Sequence, residues 1–296
     1  MIAGQLGKPG LSSGSVEDAR DLVARSRALL GDGPHLAETR ALAIPSRSGH
    51  TVGARLLVPA GDIRGLLVYV HGGGWVVGGI DDFDTLGREL ATRTGCAVLL
   101  PDYRLAPEHR FPAGLEDVED VLRWAAGPSP ELIGPGLPLI VVGDSAGANL
   151  VTIAARRLSA EIPLALEVLV YPVTSADLDS SSYREFESGY PLTRADMEWF
   201  FSHYVDAAGR ADPDVSPVYS DDLAALPRTL VLVAEYDVLA DDGRRYAEQL
   251  TAAGVPTTLS VRAGMTHGFL RLHNHLDAAR DALDVIAAEV AAVTRA

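Results

Sequence analysis

Leu139-Ile-Val-Val-Gly-Asp-Ser-Ala-Gly-Ala-Asn-Leu150 is the stretch on which the fold turns. Its first half is apolar and rich in β-branched residues, as a buried strand requires. The run ends in Gly143-Asp-Ser-Ala-Gly147 and passes straight into helix formers. A strand, a sharp turn and a helix in that order make a nucleophile elbow. The turn holds Ser145 in a strained backbone conformation, and a Cβ at position 143 or 147 would crowd the crossing strand and helix. The serine hydroxyl then stands proud of the sheet, open to a base on one side and a substrate carbonyl on the other. Glycine and serine are common in turns, so the flanking strand and helix supply the specificity.

Upstream, Leu66-Leu-Val-Tyr-Val70 reads as another buried strand and runs into His71-Gly-Gly-Gly-Trp75. Consecutive glycines leave backbone N–H groups uncovered, so a ligand can approach closely. With the N–H of Ala146, just after the candidate nucleophile, those of Gly73 and Gly74 form a candidate oxyanion hole, and Gly72 shapes the turn. Such a loop alone would pass for a simple linker. About seventy residues before an elbow, it stands where this chemistry expects it.

Here the chain resembles the hormone-sensitive-lipase group of α/β-hydrolases. The resemblance rests on His71-Gly-Gly-Gly-Trp75, Asp102-Tyr-Arg-Leu-Ala-Pro-Glu108 with Phe111-Pro-Ala113, Gly143-Asp-Ser-Ala-Gly147 and His267-Gly-Phe269. It spans residues from about 40 to about 290, in the family's order. It implies a serine carboxylesterase, and it does not name a substrate.

The coarse pattern agrees with an α/β class, a mostly parallel sheet of about eight strands flanked by helices. Strands are expected at Ala41–Arg47, Ala54–Val58, Leu66–Val70, Ala97–Pro101, Leu139–Val142, Glu167–Tyr171, Thr229–Ala234 and Thr257–Arg262. The first two read as an antiparallel hairpin at the sheet edge. The chain, 296 residues long, suits one domain. Two segments interrupt the alternation. Ser15–Leu30 reads as one amphipathic helix, with Ser15 and Asp18 placed as a capping box. The stretch from about 175 to 216 contains Thr193-Arg-Ala-Asp-Met-Glu-Trp-Phe-Phe-Ser-His-Tyr204, with Thr193 and Asp196 placed as a second helix start. The resemblance implies that about 1–40 and about 175–216 form a helical cap. Trp75, Tyr190, Trp199 and Phe200 are then either substrate-pocket residues or core.

A serine becomes a nucleophile only when a base takes its proton and a carboxylate orients that base. The order expected on this fold is Ser, then acid, then His. His203 precedes any suitable acid. His273 and His275 fall near the start of a last amphipathic helix and read as solvated. His267, in Gly264-Met-Thr-His-Gly-Phe269 just past the last strand, is the candidate base. Asp237 follows the strand Thr229-Leu-Val-Leu-Val-Ala234 and is the candidate acid, with Glu235 left open as a competitor. Asp237-Val-Leu-Ala-Asp-Asp-Gly243 departs from the family's Asp-Pro-Leu-Arg-Asp-Glu-Gly at the proline and the arginine, which Val238 and Ala240 replace. Asp241 and Asp242 read as N-terminal helix charges. His71 and Asp144 read as braces of the glycine loop and the elbow, and Asp102, Arg104 and Glu108 as a local polar network.

The formal charge of −15 speaks against nucleic acid and anionic membranes as partners. No apolar run is long enough to span a bilayer, and Met1–Gly10 lacks the apolar core of a signal peptide. Cytoplasmic residence is the expectation. The single cysteine, Cys96, lies in an apolar strand and reads as packing. Neither a His-Glu-x-x-His motif nor a cysteine cluster occurs, so no metal and no cofactor is expected. The functional expectation is hydrolysis of short- to medium-chain carboxylic esters, small-molecule substrates, through an acyl-enzyme on Ser145. An amide or formamide hydrolase with the same triad remains an alternative. So does a non-catalytic receptor of the gibberellin-receptor kind, which would lack the histidine present at 267. Family resemblance also allows a homodimer paired through edge strands or terminal helices.

Overall fold

The structure, a computed structural model, describes residues 10–127 and 136–294. The first nine residues of the expected cap segment lie outside that range. One eight-stranded sheet runs β1-β2-β4-β3-β5-β6-β7-β8. Its strands are β1 (Glu38–Pro45), β2 (Thr51–Val58), β3 (Leu66–Val70), β4 (Ala97–Asp102), β5 (Leu139–Asp144), β6 (Leu164–Val170), β7 (Thr229–Tyr236) and β8 (Thr257–Thr266). β1 and β2 form the antiparallel edge hairpin, β2 also pairs antiparallel with β4, and the other neighbours are parallel.

The boundaries shift where pairing outlasts the apolar pattern. β1 starts at Glu38, because Glu38 still faces Val58, and ends at Pro45 opposite Thr51. Arg47 falls in the turn that Ser46 N–H closes on His50 O at 3.0 Å. β5 continues through Gly143 and Asp144, which stay in register with Leu169 and Val170 of β6.

Period-two alternation then sorts side chains into two cores. Leu66, Val68 and Val70 of β3 join a cluster with Val118, Val121 and Leu122 of α4 (Ala113–Ala126) and Leu150, Val151 and Ile153 of α5 (Ala146–Arg157). Leu67 and Tyr69 point the other way, against Phe83, Leu86 and Leu90 of α3 (Ile80–Thr94) and Leu283 and Ile286 of α9 (Asp277–Thr294). β3 and β5 are buried at every residue, so the sheet's centre has helices on both faces. Cys96 is buried as expected.

The segment 15–30 is two helices, α1 (Val16–Arg25) and α2 (Arg27–Leu30). The break at Ser26 has a local cause. Its hydroxyl donates to Val23 O at 2.6 Å and its N–H to the same carbonyl at 3.0 Å, in competition with the helical ladder. Both anticipated capping boxes form, Ser15 with Asp18 and Thr193 with Asp196.

The excursion between β6 and β7 carries α6 (Ser181–Glu185) and α7 (Arg194–Tyr204). It leaves and returns at one point on the helix behind the elbow. Asn149 Nδ2 of α5 donates to Val173 O at 3.1 Å and to Val215 O at 2.9 Å, and Ala176 N–H donates to Ser216 Oγ at 2.9 Å. At its other end, Asp196 Oδ1 at the start of α7 accepts from Ser12 N–H at 2.9 Å. The N-terminal and the inserted helices thus meet over the same strand ends.

Candidate active site

Ser145 occupies φ 55°, ψ −121°, between β5 and α5. It is one of three non-glycine residues with positive φ among those described, the others being Trp75 (61°) and Tyr171 (36°). All three sit where a strand or the glycine loop turns at the carboxyl edge of the sheet. Such conformations cost on the order of 1–3 kcal/mol each and persist only where surrounding contacts over-determine them. Here Ser145 N–H donates to Val170 O at 2.8 Å and Tyr171 N–H to Leu232 O at 2.6 Å. The close crossing explains the flanking glycines. A Cβ on Gly143 would lie 2.5 Å from Gly147 C, and one on Gly147 would lie 2.1 Å from Val70 O.

The glycine loop hangs from buried donors and acceptors below it. Asp144 Oδ1 accepts from Gly72 N–H and Tyr69 Oη–H, both at 2.7 Å. Burial pushes the Asp144 carboxyl up from its ordinary value, and those two donors oppose the shift. His71 Nδ1 lies 2.8 Å from Gly72 O, so this nitrogen carries the proton. Burial lowers the His71 pKa to about 4, which keeps the ring neutral at pH 7, stacked on Tyr103 at 4.5 Å. Both braces have the supporting part read from the sequence. Gly73 and Gly74 have φ of 128° and 57°. The N–H groups of Gly73, Gly74 and Ala146 donate to no other group among the described residues.

His267 and Asp237 arrive on the loops after β8 and β7. His267 Nε2 lies 3.0 Å from Ser145 Oγ, and its Nδ1 lies 2.7 Å from Asp237 Oδ2. Asp237 is buried, and its other oxygen accepts from Leu239 N–H at 3.1 Å. A carboxylate on Nδ1 leaves Nε2 free to take a proton from the serine. Glu235 is turned away and accepts from Gly264 N–H at 2.7 Å. The missing proline and arginine of the acid loop are covered by other links. Ser182 Oγ donates to Val238 O at 2.7 Å, and Asp241 Oδ2 accepts from Ser182 N–H at 2.9 Å. Asp242 lies in the first turn of α8 (Ala240–Ala252), but it is buried and accepts from Thr174 and Ser175 N–H at 2.9 Å each. Burial pushes its carboxyl up to about 7.

Other expected contacts fall apart. Arg104 pairs with Asp117 at 2.8 Å, Glu108 pairs with Arg20 at 2.7 Å, and Asp102 joins neither. Arg20 thereby ties α1 to the loop after β4 and pulls the Glu108 carboxyl down to about 2. His273 is buried rather than solvated, because the 3-10 turn Phe269–Leu272 folds it inward, with Nδ1 3.4 Å from Leu270 O.

A cavity of about 120 Å³ opens beside Ser145. Gly73, Gly74, Leu11, Val23, Met197 and Phe200 are among its walls. Phe200 is therefore a pocket residue, and its ring fills the space a Cβ on Gly74 would enter, 2.2 Å away. Trp75, Tyr190 and Trp199 are not among the lining residues. Trp75 is buried flat against Tyr204, ring centroids 4.2 Å apart, and Tyr190 stacks on Tyr236. Trp199 packs against His203 at 4.5 Å. Pocket residues absent from the sequence reading include Leu11, Pro191, Met197 and Arg271. Tyr171, whose ring lies 4.6 Å from that of His267, was also missed. Among the described residues no group of His, Cys, Asp and Glu could hold a metal ion, and no helix is long and apolar enough to cross a membrane.

A family model described as the alpha/beta hydrolase fold matches residues 67–271. The chain belongs to this family, the Abhydrolase_3 or hormone-sensitive-lipase esterases. An ethyl acetate hydrolase of Pseudomonas putida is 38% identical over 301 residues, covering 95% of this chain and 94% of the relative. The thermophilic carboxylesterase EstE1, cloned from a metagenomic library, is 36% identical with a TM-score of 0.89, over 96% of this chain and 99% of that one. A serine-to-alanine mutant of LAE6, an alpha/beta hydrolase from the metagenome of Lake Arreo, is 33% identical with a TM-score of 0.91. It covers 97% of this chain and is itself covered over 93% of its length. The chain is a carboxylic ester hydrolase.

Proposed function

We propose that hydrolysis proceeds by acyl transfer through Ser145, with His267 as base and Asp237 as its orienting acid. One observation carries the reading: the unbroken line from Asp237 Oδ2 to His267 Nδ1 at 2.7 Å and from Nε2 to Ser145 Oγ at 3.0 Å. His267 takes the hydroxyl proton as Oγ attacks the acyl carbonyl. The N–H groups of Gly73, Gly74 and Ala146 receive the oxyanion, and Ala146 also begins α5, whose N-terminus favours negative charge. Each such donor is worth about 3 kcal/mol of barrier. His267 then protonates the departing alcohol, and a water attacks the acyl-enzyme by the same route.

In this reading the helices of about 1–40 and about 175–216 are a cap. Leu11 and Val23 from the first segment and Met197 and Phe200 from the second line the cavity that holds Ser145, which supports that assignment. The small volume supports short to medium acyl chains.

Chromogenic aryl esters from acetyl to dodecanoyl test both parts. Ser145→Ala should lose roughly 10⁶-fold in kcat with its fold intact. Turnover should fall beyond medium chain lengths in the wild type. Retained hydrolysis in the variant would remove the mechanism, and a flat chain-length profile would remove the cap's role.

A further inference from the structure

Arg271 is the unexplained charge of the site. It lines the cavity beside Ser145 and also a second cavity of about 160 Å³, bounded by Leu29 and Leu30 of α2, Thr266, His267 and Gly268. Its Nη2 donates to two neutral acceptors, Asp82 O at 3.0 Å and Ser26 Oγ at 3.4 Å, and its guanidinium lies 4.6 Å over the Phe83 ring. Nη1 makes no hydrogen bond among the described residues, and Nε is buried with no acceptor. No carboxylate of the described residues lies within ion-pair distance, since Asp82 points its own side chain at Arg27, 2.6 Å away. A shortage of acids does not explain this. The chain has 40 Asp and Glu against 25 Lys and Arg, and other half-buried arginines are matched, Arg156 to Asp214 and Asp222, Arg104 to Asp117. Leaving a buried donor unmatched costs free energy that a bound acceptor would recover.

We propose that Arg271 binds a carboxylate carried on the alcohol half of the ester, so that the preferred substrates are acylated hydroxy acids. The proposal rests on the Ser145–His267 reading. Placement on the alcohol half follows from the second cavity, which is walled by His267 and Arg271 but not by Ser145 or the glycine loop. His267 hands its proton to the departing oxygen, so the group attached to that oxygen extends along the histidine and into this chamber. The guanidinium there has its Nη1 donors open to an anion, for charge-assisted hydrogen bonds. It also gives a strongly acidic protein a local cation with which to accept an anionic substrate.

The test compares O-acetyl-lactate with its neutral counterpart O-acetyl-lactamide, with phenyl acetate as reference. Wild type should favour the anion in kcat/KM by roughly tenfold or more. Arg271→Met, which keeps the stem over Phe83, should bring the ratio to about one or below, and Arg271→Lys should keep part of it. Because Arg271 also ties α1–α2 to α3, a measurement on the unmodified enzyme accompanies the variants: lactate should inhibit phenyl acetate turnover competitively and lactamide should not. A wild-type ratio near one with phenyl acetate still cleaved through Ser145, or an unchanged ratio in Arg271→Met, overturns the proposal. So does a charge preference found only with succinyl against butyryl aryl esters, which would put the anion on the acyl half. Phenyl acetate turnover that survives Ser145→Ala would instead overturn the serine reading beneath it.

Discussion

The floor and the roof of the pocket are held in different ways. The floor is strand ends and the glycine loop, where Asp144 ties Gly72 to Tyr69, Tyr103 Oη–H holds His71 O at 2.9 Å, and Ser145 N–H is locked to Val170 O. The roof is the proposed cap, α1, α2 and α7. It rests on apolar contact and a few separate ties, such as Ser12 to Asp196 and Arg20 to Glu108 and Val76 O. Buried polar links fix a geometry to fractions of an ångström, whereas apolar contact tolerates sliding and exchange. Under the proposed mechanism the difference separates the labour: proton transfer and oxyanion binding belong to the part that cannot shift, and substrate fit belongs to the part that can.

The sharpest way to break this division is at Gly74 and Phe200, where floor and roof touch without room to spare. Gly74→Ala places a Cβ against the Phe200 ring and in a backbone region that disfavours alanine. Its kcat should fall by roughly 10²–10³-fold, the scale of losing one oxyanion donor. Adding Phe200→Ala should return part of that loss if the clash with the roof causes it. A double variant no better than the single one would place the damage wholly in the floor. A smaller effect is expected from Asp196→Ala, which removes the side-chain half of the α7 capping box and the tie to Ser12. It should destabilise the roof by about 1 kcal/mol and raise KM several-fold while leaving kcat nearly unchanged. A matching fall in kcat would mean that the roof takes part in the chemistry.

The smallest effect on turnover is expected beneath the floor. Glu167 of β6 is fully buried, with one oxygen accepting from Thr229 Oγ1–H at 3.1 Å, and burial raises its pKa to about 7. The folded pKa lies above the unfolded value, so the folded state holds the proton more tightly. Its contribution is complete below the unfolded pKa and is lost as pH rises through about 7. Glu167→Gln should therefore unfold later than wild type at pH 8, by on the order of 2 kcal/mol, match it near pH 4, and turn over esters at the same rate. Thermal unfolding at the two pH values, read beside kcat, checks all three.

The same division explains what the sequence disclosed. Floor residues could be read because each occupies a position that chain geometry dictates: Ser145 between glycines 143 and 147, Gly73 and Gly74 after a buried strand, Asp237 and His267 at the ends of the last two strands. All eight strands were visible in the sequence pattern, with ends misplaced where pairing continued past the pattern and, at Arg47 and Tyr171, where a turn cut the strand short. Roof residues were not legible in that way. Which face of α7 looks into the cavity depends on how Tyr204 meets Trp75 across the fold, and that meeting takes Trp75 into the core and sets Trp199 aside against His203. The order of residues could not anticipate that Tyr190 stacks on Tyr236 at the end of β7. Arg271 escaped notice because an arginine is ordinary in sequence; only the lack of a matching acid, a property of three dimensions, distinguishes it.

Ser145 and His267 stand 122 positions apart, and the histidine follows β8, which has only β7 as a neighbour in the sheet. The chain is made from its N-terminus, so the residues proposed as nucleophile and oxyanion donors are synthesised well before the proposed base. In that reading the hydroxyl has no proton acceptor until β8 pairs with β7 and presents His267. Under the proposed mechanism, ester turnover therefore reports a chain whose last strand is docked on β7.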